Sequence, residues 1–419
     1  RPTSPNLAQI ARQGVVFDNA ISPAPWTLPA HASFLTGLLP HEHGADEESP
    51  LDTRHRTLGE ALQARGYRTA AFSANSLYFS RRAGLSRGFI EFDDYFYSSA
   101  DMFSRTAWGR VLGPHFPRWL GRAQWPTIQR ASEINRRALR WIDSGPARPF
   151  LVFLNYFDLH TPRMPPEPYR SRFARVDVKG WALPDDGYPK LTREQKLADT
   201  DAYDAAIAYD DAQVQKLFTA LQARGLDKNT LVVITADHGE SLDDHGILRH
   251  RNDLYRELLH VPLIFWWPGK LPAGKRIETP ISTARLASTL LDLMGQPDPA
   301  EFPGNSLAML WRNPEAAKQW PYPVSEVTRN IYAPANYPTH YGDVQSIVAP
   351  QWQLIVAGTR PPELYRWVED PAETRNLADS PAVHDVLLQL NSLLRDRLSS
   401  SASAQMANEH TVPSRLGEP

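Results

Sequence analysis

Short, unbroken apolar runs recur along this chain between amphipathic segments, and that alternation restricts it to a sheet covered by helices. The runs are 67–73, 150–156, 231–234 and 261–267. Each is too short for a buried helix and is rich in β-branched or aromatic residues, the pattern of a strand buried on both faces. Helical spacing marks 5–14, 57–66, 131–143, 199–225 and 282–295. Segment 199–225, for instance, repeats Tyr203, Ile207, Val214, Leu217 and Leu221. Helices alternating with such strands argue for an α/β fold with a mixed, mostly parallel sheet flanked by helices. Val15-Val16-Phe17 reads as a brief strand, 22–31 as a proline-rich loop and 32–37 as a helix. After about residue 320 the pattern changes. Segments 345–349, 352–357 and 362–367 read as short antiparallel strands, followed by a helix over 382–398. The expected organisation is one large domain over 1–320, an antiparallel C-terminal subdomain over 321–400, and a mobile polar tail over 401–419.

Bulk composition narrows the chemistry. The 419 residues contain no cysteine, which excludes disulfides, thiolate metal sites and a cysteine nucleophile. A formal charge of −2 argues against a nonspecific nucleic-acid binder. No apolar run is long enough to cross a membrane, and no signal peptide is visible in this chain. Periplasmic, cytoplasmic and upstream-anchored locations all stay open, as does oligomeric state.

Four segments can carry chemistry. The run 230–234 leads into Thr235-Ala236-Asp237-His238-Gly239-Glu240-Ser241. It delivers an acid and an imidazole at the carboxyl end of a strand, where ligands collect in open α/β sheets. Asp237 and His238 are therefore a candidate half-site for a divalent metal; an ordinary strand-to-loop turn is the plainer alternative. In Pro25-Trp26-Thr27-Leu28-Pro29-Ala30-His31, Thr27 lies near a helix start, where backbone N–H groups stabilise anions. Its hydroxyl is a nucleophile only if a base or metal activates it; otherwise it caps the helix. Asp158-Leu159-His160-Thr161-Pro162 puts His160 just after another strand. Asp243-Asp244-His245-Gly246-Ile247-Leu248-Arg249-His250 adds His245 and His250, suited to the oxygens of a tetrahedral anion or to a solvated polar loop. Asp93-Asp94 reads as a turn at the protein edge.

With these residues in view, the chain resembles the sulfatase family of the alkaline-phosphatase superfamily. Ser4-Pro5-Asn6-Leu7, Gly14-Val15-Val16-Phe17, the segment 22–37 closed by Thr36-Gly37, and 157–162, 203–211, 232–246 and 254–264 follow in family order. Pro303-Gly304-Asn305-Ser306-Leu307, Glu363-Leu364-Tyr365 and 370–377 resemble its late motifs. The resemblance covers about residues 3 to 380 and implies an alkaline-phosphatase-like α/β sandwich, with the catalytic domain over 1–320. It also implies a divalent metal on Asp237, His238 and Thr27, with Thr27 as nucleophile. His160, His245, His250 and His31 would bind ester oxygens or protonate the leaving group. Manganese, zinc, magnesium and calcium are all compatible, and the imidazole of His238 favours manganese or zinc.

Two departures from the family pattern shape the expected activity. Sulfatases proper carry cysteine or serine, later oxidised to formylglycine, at the position of Thr27, and arginine at that of His31. Threonine cannot form that group, and threonine nucleophiles are the habit of phosphate-handling relatives. The resemblance therefore implies a hydrolase of small phosphate, phosphonate or sulfate esters, with phosphoesters favoured. A phospho-group transferase on lipid or glycan acceptors, or an inactive member that only binds an anion, are the alternatives. The family also opens with an apolar strand ending in metal-binding aspartates, and this chain begins past that point, so such a strand is expected upstream of Arg1.

Overall fold

The computed structural model describes residues 1–75, 78–94, 106, 108, 129–176 and 190–399. The expected tail over 401–419 lies outside the described residues. The main helices are α1 (Pro5–Ala11), α2 (Thr27–Thr36), α3 (Leu58–Ala64), α4 (Ala131–Ser144), α5 (Arg193–Ala223), α6 (Arg256–Leu259), α7 (Leu286–Leu293) and α8 (His384–Ser399). The strands are β1 (Val15–Ile21), β2 (Arg68–Ser73), β3 (Glu91–Asp93), β4 (Phe150–Asn155), β5 (Val232–Thr235), β6 (Ser241–Leu242), β7 (Leu248–Arg249), β8 (His260–Trp266), β9 (Lys275–Ile277), β10 (Ile281–Ser282), β11 (Val324–Val327), β12 (Val344–Val348), β13 (Gln353–Ala357) and β14 (Glu363–Tyr365). The chain forms two compact units: residues 1–10 with 59–230, and residues 11–58 with the chain from Leu231 onward.

The first unit is built on a parallel sheet in the order β3-β2-β4. Ala70, Phe72 and Ala74 pack with Ile134 and Ala138 of α4. The start of α1 is tied down by Asp211 of α5, whose carboxylate accepts from the Asn6 side chain and the Leu7 N–H, both at 2.7 Å. Helix α5 begins at Arg193, earlier than its apolar spacing predicts, because Thr192 and Gln195 form a capping box. The Thr192 hydroxyl accepts from the Gln195 N–H at 3.2 Å and the Gln195 side chain accepts from the Thr192 N–H at 2.8 Å. The Asp93-Asp94 pair is structural: Asp93 pairs with Arg137, and Asp94 accepts from the Arg81 N–H at 2.7 Å.

The second unit carries two larger sheets. One runs β10-β1-β8-β5, with β9 also on β1; β1 pairs parallel with β9 and β10 and antiparallel with β8. β5 was expected to be a fully buried parallel strand. It instead pairs antiparallel with β8 and is half-buried along its length, because it stands at the end of this sheet's order. The core joins Phe17 and Phe265, ring to ring at 6.0 Å, with Phe34, Leu263, Ile281 and Leu286. The other sheet is the antiparallel meander β11-β12-β13-β14, covered by Leu390 and Leu394 of α8. Its first strand, β11, gave no sequence signal between flanking prolines.

Phe265 is fully buried between Phe17 and Trp311. Phe265→Ala is expected to lower unfolding free energy by about 3–5 kcal/mol, read from a urea or guanidinium titration.

Candidate active site

Thr27 is the first residue of α2, so the helix starts earlier than the proline-rich sequence predicts. Pro29 is compatible with the first turn, where N–H groups have no intrahelical acceptor to lose. Gly37 closes the helix in a left-handed conformation, φ 77°, donating its N–H to the Ser33 carbonyl at 2.9 Å. The 3 % exposed Thr27 thus sits at the positive end of a helix dipole. Arg251 braces the loop before it, donating its N–H to the Pro25 carbonyl at 3.2 Å and laying its guanidinium 4.6 Å over the Trp26 ring.

Asp237 lies just past β5 and faces imidazoles. His31 Nδ1 donates to its own helix at the Thr27 carbonyl (2.8 Å) and stands 3.5 Å from the Asp237 carboxylate. His238 Nε2 is also 3.5 Å from that carboxylate. Burial alone would raise the Asp237 carboxyl, but His238, His31 and His250 together hold it below the usual range, so it is the anion of the cluster. Burial holds His31 and His238 below the ordinary imidazole value. His238 Nδ1 donates to the Gly239 carbonyl at 2.7 Å, which fixes the tautomer and presents Nε2 as the lone-pair nitrogen. His250 lies with its ring 4.3 Å from that of His238 and donates from Nδ1 to Glu240 at 2.9 Å.

The remaining predicted residues are placed differently. His245 has both ring nitrogens engaged, Nδ1 with the Glu257 carboxylate at 3.1 Å and Nε2 with the Glu373 carbonyl at 3.0 Å. His160 belongs to the first unit, stacked on Phe157 at 4.1 Å and donating to the Thr161 carbonyl at 2.6 Å. Its loop is fastened by Arg163, which donates to the Leu159 carbonyl at 2.9 Å and pairs with buried Asp199 at 2.5 Å. Beneath that loop, burial pushes Asp158 up to about 6 and Asp210 well above the usual range. Asp210's oxygens meet no N–H or O–H donor among the described residues, and the neighbouring Asp158 carboxyl adds to the upward push of burial.

Several contributors escaped the sequence. The Ser22 hydroxyl stands against the Asp237 carbonyl, and the Ser22 carbonyl accepts from the Ser325 hydroxyl at 2.6 Å. Glu240 was adjacent to the Asp-His pair and legible as a partner by proximity; Glu257 and Glu373 had no local signal. Gly239 is required for close approach rather than for a turn: a Cβ there would lie 1.9 Å from the Glu257 carbonyl oxygen.

The donor chemistry suits a divalent cation in part. An ionised carboxylate and an imidazole whose other nitrogen is held by a carbonyl are what such an ion takes. Among the described residues, however, no group of three or more His, Asp or Glu side chains converges as a metal site. Asp237 and His238 lie 3.5 Å apart, carboxylate to Nε2, and His31 connects Asp237 to the Thr27 carbonyl in the same unit.

Stability should fall on the alkaline side. Burial, reinforced by Glu257, pushes Asp253 up to about 8, and burial pushes Glu373 up to about 8 against the Arg256 N–H it accepts at 2.7 Å. A carboxyl raised by folding loses stability as pH climbs from its unfolded value toward the folded one. Burial works against the charged form of His245, but Glu257 and the Glu373 carbonyl outweigh it and raise it to about 9. That contribution is complete below the unfolded value of 6.5 and is lost as pH passes about 9. Calorimetry from pH 7 to 9.5 should show a falling melting temperature; a flat or rising curve would contradict these assignments.

The family follows from comparison. Residues 1–296 match the family model described as Sulfatase, and residues 243–400 match N-sulphoglucosamine sulphohydrolase, C-terminal. The Delta 4,5-hexuronate-2-O-sulfatase of Bacteroides thetaiotaomicron is 25% identical over 431 residues, covering 94% of this chain and 83% of that protein. The multifunctional alkaline phosphatase superfamily protein PehA of Trinickia caryophylli is 25% identical over 365 residues, covering 73% of this chain and 70% of its own. The crystal structure of the phosphonate monoester hydrolase of Agrobacterium radiobacter superposes with a TM-score of 0.74 at 22% identity, covering 94% of this chain and 91% of that one. That likeness shows a shared alkaline-phosphatase-like fold. With the first model spanning most of its length, the chain belongs to the sulfatase family.

Proposed function

We propose that this chain is a metal-dependent hydrolase of small phosphate, phosphonate or sulfate esters, acting through a covalent intermediate on Thr27 and preferring phosphoesters. The observation that carries the reading is that one unit joins Thr27, at the start of α2, to the anionic Asp237 through His31. Threonine at this position supports phosphorus over sulfur, since it has no route to formylglycine. The names of two relatives, a phosphonate monoester hydrolase and an alkaline-phosphatase-superfamily protein, lean the same way, while sulfatase names among the others keep sulfate esters in the test.

The Thr27 oxygen attacks phosphorus or sulfur in line, so that its new bond forms as the bond to the leaving oxygen breaks. The helix dipole favours the negative charge this requires. His250, with Nδ1 held by Glu240, is the proposed donor to the leaving oxygen. His31 keeps Asp237 and the first turn of α2 together. Water then attacks the covalent ester, giving a proton back to His250, and Thr27 leaves as the alkoxide that starts the next cycle. Asp237, His238 and Thr27 would hold the divalent ion, manganese or zinc suiting this pair best, and its charge would lower the hydroxyl pKa.

Turnover of aryl phosphate, phosphodiester, phosphonate monoester and sulfate ester substrates, in protein loaded with each metal, tests the reading. Phosphorus esters should be turned over fastest, and a sulfate ester hydrolysed faster than all of them would overturn the preference. Thr27→Ala should abolish turnover, and His250→Ala should cost about 10²–10⁴-fold. Asp237→Ala should lose bound metal by elemental analysis; unchanged metal content would refute the ligand assignment.

A further inference from the structure

We infer that His245 is a positioning residue: as an imidazolium it clasps the 370–376 turn to the segment 253–259, and through that segment it pins the turn that carries Asp237 and His238. Geometry alone requires the cation. The Glu257 carboxylate at 3.1 Å and the Glu373 carbonyl at 3.0 Å are both acceptors, so both ring nitrogens must carry protons to satisfy them. The ring also stacks on Tyr255, with centroids 3.8 Å apart and planes 10° apart.

Backbone conformation points to the same clasp. His245 and Glu373 are both non-glycine residues in the left-handed region, at φ 55° and 51°. Such residues persist where surrounding contacts over-determine them. Here the two strained positions meet, the imidazole of one on the carbonyl of the other. The Glu373 side chain turns inward and accepts the Arg256 N–H at 2.7 Å, so the same residue holds the start of α6.

The clasp reaches the site through backbone. Gly239 donates its N–H to the Leu258 carbonyl at 2.7 Å and rests on the Glu257 carbonyl with no room for a Cβ. Gly239 in turn accepts the Nδ1 proton of His238. The path from His245 through Glu257 and Gly239 to His238 is thus continuous contact, while His245 itself touches none of the proposed metal ligands. The charged and titratable groups around its ring are Glu257, Glu373, Asp253, Asp370 and Tyr255. The Glu257 carboxylate and the Glu373 carbonyl favour the cation, and loss of the His245 proton removes one of the two hydrogen bonds. The clasp is therefore closed at neutral pH and opens in mildly alkaline solution.

The inference deepens the proposed function, since the pinned turn is the proposed metal half-site, but its test reads hydrogen exchange rather than turnover and so can fail separately. His245→Asn tolerates the left-handed backbone and removes the cation. It should speed exchange of the Gly239 amide at least about tenfold relative to Phe265 in the core strand β8. In wild type, Gly239 protection, normalised to Phe265, should fall as pH passes about 9. Glu257→Gln should bring that fall to lower pH by about one unit. Equal acceleration at Gly239 and Phe265 in His245→Asn, or an unshifted fall in Glu257→Gln, would overturn the inference.

Discussion

The edge that carries the candidate site depends on the ladder formed by β1, β8 and β5. β8 runs antiparallel to both neighbours, so β1 and β5 point the same way and end on the same edge of their sheet. The loop leading to Thr27 and the turn carrying Asp237 leave that edge side by side. Ser22 joins them, with its hydroxyl against the Asp237 carbonyl, its N–H on the Leu259 carbonyl at 2.8 Å and its carbonyl under the Ser325 hydroxyl. One residue thereby ties the loop leading to Thr27, the turn carrying Asp237, the start of β8 and the C-terminal sheet. Moving any of these would move Asp237 relative to α2.

Charge is arranged in two tiers around this edge. Around Asp237, the imidazoles of His238, His31 and His250 hold the carboxyl below its usual range against burial, while burial lowers His31 and His238 themselves. Behind it, the arrangement is reversed: Asp253 and Glu373 are held protonated by burial while His245 is held charged. Neutral buried acids avoid the cost of an unpaired charge in low dielectric. They also make the rear tier sensitive to alkaline pH, while the front tier is governed by acid.

Much of the fold was legible because its signals are local. The apolar runs at 150–155 and 260–266 are strands, and the spacing within 193–223 is a helix, as their periodicity requires. What escaped depends on tertiary or capping chemistry. The start of α5 lay in the Thr192–Gln195 reciprocal bonds rather than in apolar spacing, and the start of α2 lay in the tolerance of a first turn for proline. Asp237 and His238 were singled out by their place at a strand end, Thr27 by its place at a helix start, and all three by the family resemblance, so the proposal about them rests on local signals. The engagement of His245 by Glu257 and Glu373 was not, because its second partner lies far along the chain, in a turn with no pattern of its own.

The central claim is that Thr27 forms a covalent ester during turnover. Acid quenching of the metal-loaded protein during turnover of an aryl phosphate or phosphonate ester, followed by peptide mass spectrometry, tests it most directly. The account predicts a phosphoryl or phosphonyl adduct on the peptide containing Thr27, localised to that residue. Steady turnover with no adduct on rapid quenching, or an adduct on another side chain, would contradict it.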